Sequence, residues 1–222
     1  MPLLKRFLDD SVVSLKICGV TTLEDAERLV ALGVDALGVN FWPPSKRYLV
    51  PENADWLAGL AGRILRVGVF VNEAPGLPLQ LLRDGLLDLI QIHGDETPED
   101  AAPYRKAGVP FFKAIGVKTR EDLGRAADFK ASALLLDAHA PGVYGGTGET
   151  FDWNAALDFK ARYPEFPILL AGGIVPENAA QAAATVRPSA LDVASGAEIS
   201  PGIKDFAKVS ALLTALNRSS PC

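Results

Sequence analysis

Short apolar runs alternate with longer amphipathic stretches along the chain. The runs Val13–Ile17, Ala36–Phe41, Val67–Val71, Leu87–Ile92, Phe111–Ile115, Ala133–Leu136, Ile168–Ala171 and Ala190–Val193 are nearly unbroken in hydrophobic residues. Strands of a parallel sheet read this way, because both of their faces are covered by helices. The stretches between them predict helices. Leu23–Leu32 follows Thr22, whose hydroxyl suits an N-cap, and stops at Gly33. Glu177–Val186 follows Pro176, which suits a first helical position.

Eight such strand–helix units in 222 residues favour an α/β fold closed as a (β/α)8 barrel near its minimum size. A doubly wound open sheet is the alternative. It calls for a Gly-rich dinucleotide turn after the first strand, and the segment 19–25, GVTTLED, is not one. No linker or composition shift divides the chain, so residues 1–222 read as a single domain. Within it, 1–12 reads as an optional N-terminal extension and Arg218–Cys222 as a frayed tail.

A hydrophobic content of 49% supplies a large core, and the net charge of −5 without any Lys/Arg run excludes a nucleic-acid footprint. No apolar run approaches the ~18 residues of a membrane span. The segment 1–14, MPLLKRFLDDSVVS, lacks the apolar centre and cleavage site of a signal peptide, so a cytoplasmic protein is expected. In that reducing compartment Cys18 and Cys222 are free thiols. With His93 and His139 as the two histidines, no metal site is expected.

Reactive groups of a (β/α)8 barrel stand at the carboxyl ends of its strands. Strand 1 ends in Lys16-Ile17-Cys18-Gly19 and strand 4 in Gln91-Ile92-His93. Strand 6 ends in Asp137, and strands 7 and 8 end before Gly172-Gly173 and Ser195-Gly196. Glycines in two consecutive βα turns let backbone approach an anion at a helix start, which favours a phosphorylated small molecule over mere tight turning. Cys18 alone reads either as an inert buried thiol or as a nucleophile or base that needs a nearby cation. Lys16 is such a cation if the two residues share a face. Asp137 is a cap or a functional carboxylate. Arg47, beside Lys46 in the strand 2 loop, is a solvated cation or a bidentate carboxylate clamp. His93 is a satisfied rim residue or a ligand contact. Trp42 and Phe111-Phe112 read as packing, and the Gly-rich loop 141–148 as a mobile lid.

These segments together resemble the phosphoribosylanthranilate isomerase family. The resemblance is carried by KICGVTTLEDA (16–26), DALGVNFWPPSKRYL (35–49), LIQIHGDE (89–96), LLLDA (134–138), YGGTGETFDW (144–153), ILLAGGIVPEN (168–178) and DVASGAEISPGIKD (192–205). It spans nearly every βα unit, with departures at Asn40, Lys46 and Ala194. It implies a (β/α)8 barrel performing the Amadori rearrangement of N-(5′-phosphoribosyl)anthranilate without a cofactor. By the same resemblance Cys18 is the general base and Asp137 the general acid. It also implies that Arg47 contacts the anthranilate and that Gly172, Gly173 and Gly196, with Ser195 beside them, bind the phosphate; His93 at its strand end and Gly145 and Gly146 in the Gly-rich loop are candidate substrate contacts.

For that chemistry the acid must arrive protonated, and the base must be a thiolate, its pKa held near or below ~8 by a cation or backbone donors. A histidine-pathway or dual-substrate aminoaldose isomerase is the enzymatic alternative. It uses a carboxylate where strand 1 here ends in Cys18. A non-catalytic sugar-phosphate-binding barrel is the other. Monomer and homodimer are equally compatible with the sequence.

Overall fold

Eight parallel strands hydrogen-bond in chain order, and the last pairs with the first to close the sheet. They are β1 (Ser14–Cys18), β2 (Ala36–Asn40), β3 (Leu65–Phe70), β4 (Leu89–Ile92), β5 (Phe111–Val117), β6 (Ala133–Ala138), β7 (Ile168–Leu170) and β8 (Ala190–Val193). The computed structural model describes residues 1–117, 123–124, 126–138 and 153–217. The predicted strands are all present, with ends moved by a residue or two. The residues 218–222 lie outside the described part.

The apolar runs are continuous because each strand faces two cores. Leu15, Ile17, Leu37, Val39, Leu134, Leu136, Leu191 and Val193 pack outward with the helices. Ala36, Leu65, Val67, Leu89, Phe112, Leu135, Leu169 and Ala190 form a second cluster that fills the barrel interior. Outside the sheet lie α1 (Pro2–Phe7), α2 (Leu23–Leu32), α3 (Gly76–Arg83), α4 (Ala102–Lys106), α5 (Asn154–Arg162), α6 (Pro176–Val186) and α7 (Phe206–Ala215). α2 starts as its sequence predicts, the Thr22 hydroxyl accepting the amide of Asp25. A short antiparallel hairpin, β9 (Glu198–Ser200) with β10 (Ile203–Lys204), follows β8.

Two expectations change. The β2–β3 connection holds two 3₁₀ turns, Pro51–Asn53 and Asp55–Leu60, in place of an α-helix. Pro51 and the glycines at 59 and 62 disfavour a longer helix there. The first dozen residues, expected as an optional extension, carry a helix that packs on the barrel. α1 lies across the amino-terminal end of the barrel, and Phe7, 1% exposed, joins the interior cluster and stacks on Phe112 with centroids 6.0 Å apart. Leu3, Leu4 and Leu8 pack beside it. The end of the barrel away from the strands' carboxyl termini is thus sealed by the chain's own helix.

Phe7→Ala is expected to lower stability by about 3–5 kcal/mol, the usual range for emptying a buried aromatic site. Urea unfolding followed by circular dichroism measures this. An unchanged midpoint would mean that α1 is not part of the core.

Candidate active site

The strand pleat turns every second residue into the barrel. On β1 these are Ser14, Lys16 and Cys18, opposite Ala190 and Asp192 of β8 and Ala36 and Gly38 of β2. Along β4 and the residue after it they are Leu89, Gln91 and His93, and along β6 Ala133, Leu135 and Asp137. Each line runs from small or apolar at the sealed end to polar or reactive at the open end.

Cys18 is half-buried, and its carbonyl accepts a hydrogen bond from Lys204 Nζ at 2.6 Å. The β1–β2 and β1–β8 registers run unbroken through Lys16 and on to its neighbours, so Lys16 and Cys18 do share a face. The expected depression of the thiol is not found. Burial pushes Cys18 above its ordinary 9.0, outweighing the attraction of Lys16, Lys204 and Arg47. The reason is desolvation: the barrel wall penalises a thiolate more than the nearby cations return.

Arg47 reaches the same end of the barrel from the β2 loop. Its Nε donates to Glu198 Oε1 at 2.9 Å and its Nη2 to Oε2 at 2.7 Å, a bidentate pair. Glu198, 4% exposed, also accepts Lys204 Nζ at 2.7 Å and the Gly202 amide at 3.1 Å. The clamp expected for a ligand carboxylate is therefore gripped from behind, with Nη1 outside the pair.

His93 leaves β4 with its ring between two partners. Gln91 Nε2 lies 2.9 Å from Nδ1; with the amide donating, the ring proton sits on Nε2. That nitrogen faces Asp137 Oδ2 at 3.4 Å. The turn carrying His93 is fixed by Lys113, which donates to Gly94 O and Glu96 Oε2 at 2.7 Å each. Glu96 in turn accepts the amides of Asn72 and Gly94. So His93, read from sequence as a ligand contact, stands beside the proposed acid.

The turns after β7 and β8 meet. Gly172 and Gly173 take left-handed backbone, with φ of 76° and 63°. Asn178 ties the turn to α6, accepting the Val175 amide and donating to Gly173 O at 2.9 Å each. Ser195–Ala197 form a 3₁₀ turn against it. A β-carbon on Gly196 would sit 1.9 Å from Ile174 O, so no side chain fits where the turns touch. The four residues expected at a phosphate are thereby brought together. Gly145 and Gly146 lie outside the described residues.

Sequence reasoning gave no role to Asp192, Gln91, Glu198 or Lys204. Asp192 and Gln91 each sit one pleat below a rim position, a spacing that could have raised them. Glu198 has Gly202 and Lys204 four and six residues on, but the guanidinium it grips lies 151 residues away.

A family model described as N-(5′-phosphoribosyl)anthranilate isomerase matches residues 15–215. The isomerase of that name from Trichlorobacter lovleyi is 44% identical over 199 residues, covering 89% of this chain and 95% of the relative. The crystal structure of phosphoribosyl anthranilate isomerase from Thermotoga maritima superposes with a TM-score of 0.83 at 38% identity, covering 92% of this chain and 98% of the other. A second isomerase structure, in complex with reduced 1-(o-carboxyphenylamino)-1-deoxyribulose 5-phosphate, gives a TM-score of 0.80 at 37% identity with the same coverage.

Glu198→Gln tests the hub beneath Arg47. Burial works to raise the Glu198 carboxyl, but its pairs with Arg47 and Lys204 hold it below the ordinary 4.5. A depressed carboxylate stabilises the fold above its unfolded value, and that stability is lost as pH falls through the folded one. The substitution is expected to cost about 3–5 kcal/mol at neutral pH, the usual penalty for a buried pair broken on one side. It also flattens the loss of stability below pH 4.5. Denaturant unfolding across this range checks both, and parallel curves of equal height would sink the assignment.

Proposed function

The chain belongs to the N-(5′-phosphoribosyl)anthranilate isomerase family, and from that membership we propose how its own residues carry out the rearrangement. The reaction, a step of tryptophan biosynthesis, converts an N-glycoside of ribose 5-phosphate into the 1-amino-1-deoxyketose. Asp137, as carboxylic acid, delivers its proton to the ribose ring oxygen while the C1′–O bond breaks and the anthranilate nitrogen lone pair forms the iminium. The Cys18 thiolate then takes the C2′ proton. The C–H electron pair becomes the C1′–C2′ double bond, the iminium is neutralised, and the resulting enolamine tautomerises to the ketone. The iminium itself accepts the electrons, so the scheme requires no cofactor.

The observation that carries this division of labour is placement. Cys18 and Asp137 stand on the interior face at the carboxyl ends of β1 and β6, three steps apart around the closed sheet. A substrate across the mouth meets one group on each side. Each general acid or base contributes roughly 10²–10⁴-fold. His93 holds the Asp137 carboxyl in place through the contact at 3.4 Å. Arg47 offers Nη1 to the anthranilate carboxylate. Gly172, Gly173, Ser195 and Gly196 receive the phosphate on left-handed and 3₁₀ backbone, where amide donors are available. Gly145 and Gly146 as substrate contacts rest on the Gly-rich sequence of their loop alone. A reducing compartment such as the cytoplasm suits a base that must stay a free thiol. Among the described residues no helix is long and apolar enough to cross a membrane.

The test is decay of phosphoribosylanthranilate fluorescence, the substrate being generated in place. Wild type is expected to turn it over. Cys18→Ser and Asp137→Asn should each lose at least ~100-fold in kcat. Arg47→Ala should chiefly raise KM, since its contact exists in ground and transition states alike. Near-normal turnover by Cys18→Ser would overturn the base assignment. A folded wild type that isomerises the histidine-pathway aminoaldose instead would replace the substrate.

A further inference from the structure

The scheme above leaves Lys16 unused, although it is among the most costly side chains in the barrel. It has no exposed surface, and its ammonium donates to Asp192 Oδ1 at 2.8 Å. Taking an ammonium out of water costs several kcal/mol, and an apolar residue of similar length would fill the space without that cost. The ammonium is aimed at a particular place. A β-carbon on Gly38 would come within 2.8 Å of Cys18 Sγ and 3.0 Å of Lys16 Nζ, so thiol and ammonium converge over the same bare backbone. That brings them inside the ~4–6 Å over which an opposite charge favours ionisation of its neighbour. A side chain at position 38 would separate them.

We propose that Lys16, pinned by Asp192, is the positioning residue that makes the Cys18 thiolate available, so that the base works as a thiolate–ammonium pair seated on a carboxylate. This rests on the assignment of Cys18 as the base. The charged groups facing the sulfur come from four elements: Lys16 on β1, Asp192 on β8, Arg47 in the β2 loop and Lys204 on β10. Arg47 and Lys204 are both engaged by Glu198. Burial opposes the thiolate first, and among the cations Lys16 counters it most.

Asp192 has a separate task. Burial disfavours the Lys16 ammonium; Asp192, with Cys18, outweighs it and holds Lys16 above its ordinary 10.5. The pair with Asp192 at 2.8 Å holds the ammonium in place beside the sulfur. Lys16 transfers no proton in the cycle. The S–H bond forms with the C2′ hydrogen, and the ammonium passes from balancing thiolate and carboxylate together to balancing the carboxylate alone.

The test reads the thiol without substrate. In a Cys222→Ser background one cysteine remains, and its alkylation by iodoacetamide is followed from about pH 6 to pH 10, together with the ultraviolet absorbance of the thiolate. Lys16→Met is expected to slow alkylation at neutral pH at least ~10-fold and to move the midpoint up by at least about one pH unit. Its kcat/KM should fall by a similar factor and recover as pH is raised. Lys16→Arg keeps the cation and should stay within about threefold of wild type. Should Lys16→Met fail to fold, because Asp192 is left buried and unpaired, Lys16→Met with Asp192→Leu removes the pair together; it is expected to raise the midpoint too, but by less, because Asp192 itself opposes the thiolate. An unmoved midpoint in either Met variant overturns the proposal, even if turnover falls, because Lys16 then only shapes the barrel. Full turnover by Cys18→Ser, with the midpoint shift intact, would instead discard the base assignment.

Discussion

When eight parallel strands close on themselves, alternate residues of every strand must fill a space that water enters from one end at most. Here that space is graded. Phe7, Leu65, Leu89, Phe112 and Leu169 occupy its sealed part, and Cys18, His93 and Asp137 stand at its mouth. Between them lies a layer holding Lys16, Gln91 and Asp192. The apolar part supplies cohesion, and the charged layer is tolerable because its groups find one another across neighbouring strands. The placement of the reactive groups is a consequence of this filling. A thiol, an imidazole and a carboxyl can remain at the rim because the apolar requirement has been met below them.

Electrostatics then divides the mouth into two neighbourhoods. Around Cys18 are Lys16, Lys204, Arg47, Asp192 and Glu198, with a cation on more than one side of the sulfur. Around Asp137 is His93, whose orientation is passed down from Gln91 and, through the turn after β4, from Lys113 and Glu96. A base that must lose a proton sits among cations. The group assigned as the acid sits beside an imidazole. Opposite proton-transfer roles at one pH call for such a difference in surroundings.

Glu198 links this chemistry to the scaffold. It binds the Arg47 fork, Lys204 Nζ and the Gly202 amide, and Lys204 carries the connection to the Cys18 carbonyl. The hairpin β9–β10 is thereby tied to β1 and to the β2 loop. Buried charges in such a network cost desolvation, and here the pairing of Glu198 with both cations offsets that cost. The turns after β7 and β8 are tied differently, by backbone contact at Gly196 and by Asn178.

The sequence by itself determined the strands, their closure into a barrel and the rim positions of Cys18, His93 and Asp137. Those follow from local periodicity: an apolar run buried on two faces is legible wherever it occurs, and its end marks the rim. Thr22 and Gly33 likewise bound α2 through contacts a few residues away. What only the tertiary structure decided are the pairings across strands. Lys16 with Asp192 joins residues 176 apart, and Arg47 with Glu198 joins residues 151 apart. The sealing of the barrel by Phe7 belongs to the same class, as does the rise of the Cys18 thiol above its ordinary value. Desolvation and ion pairing depend on what surrounds a group in space, and the closure of β8 onto β1 sets those surroundings.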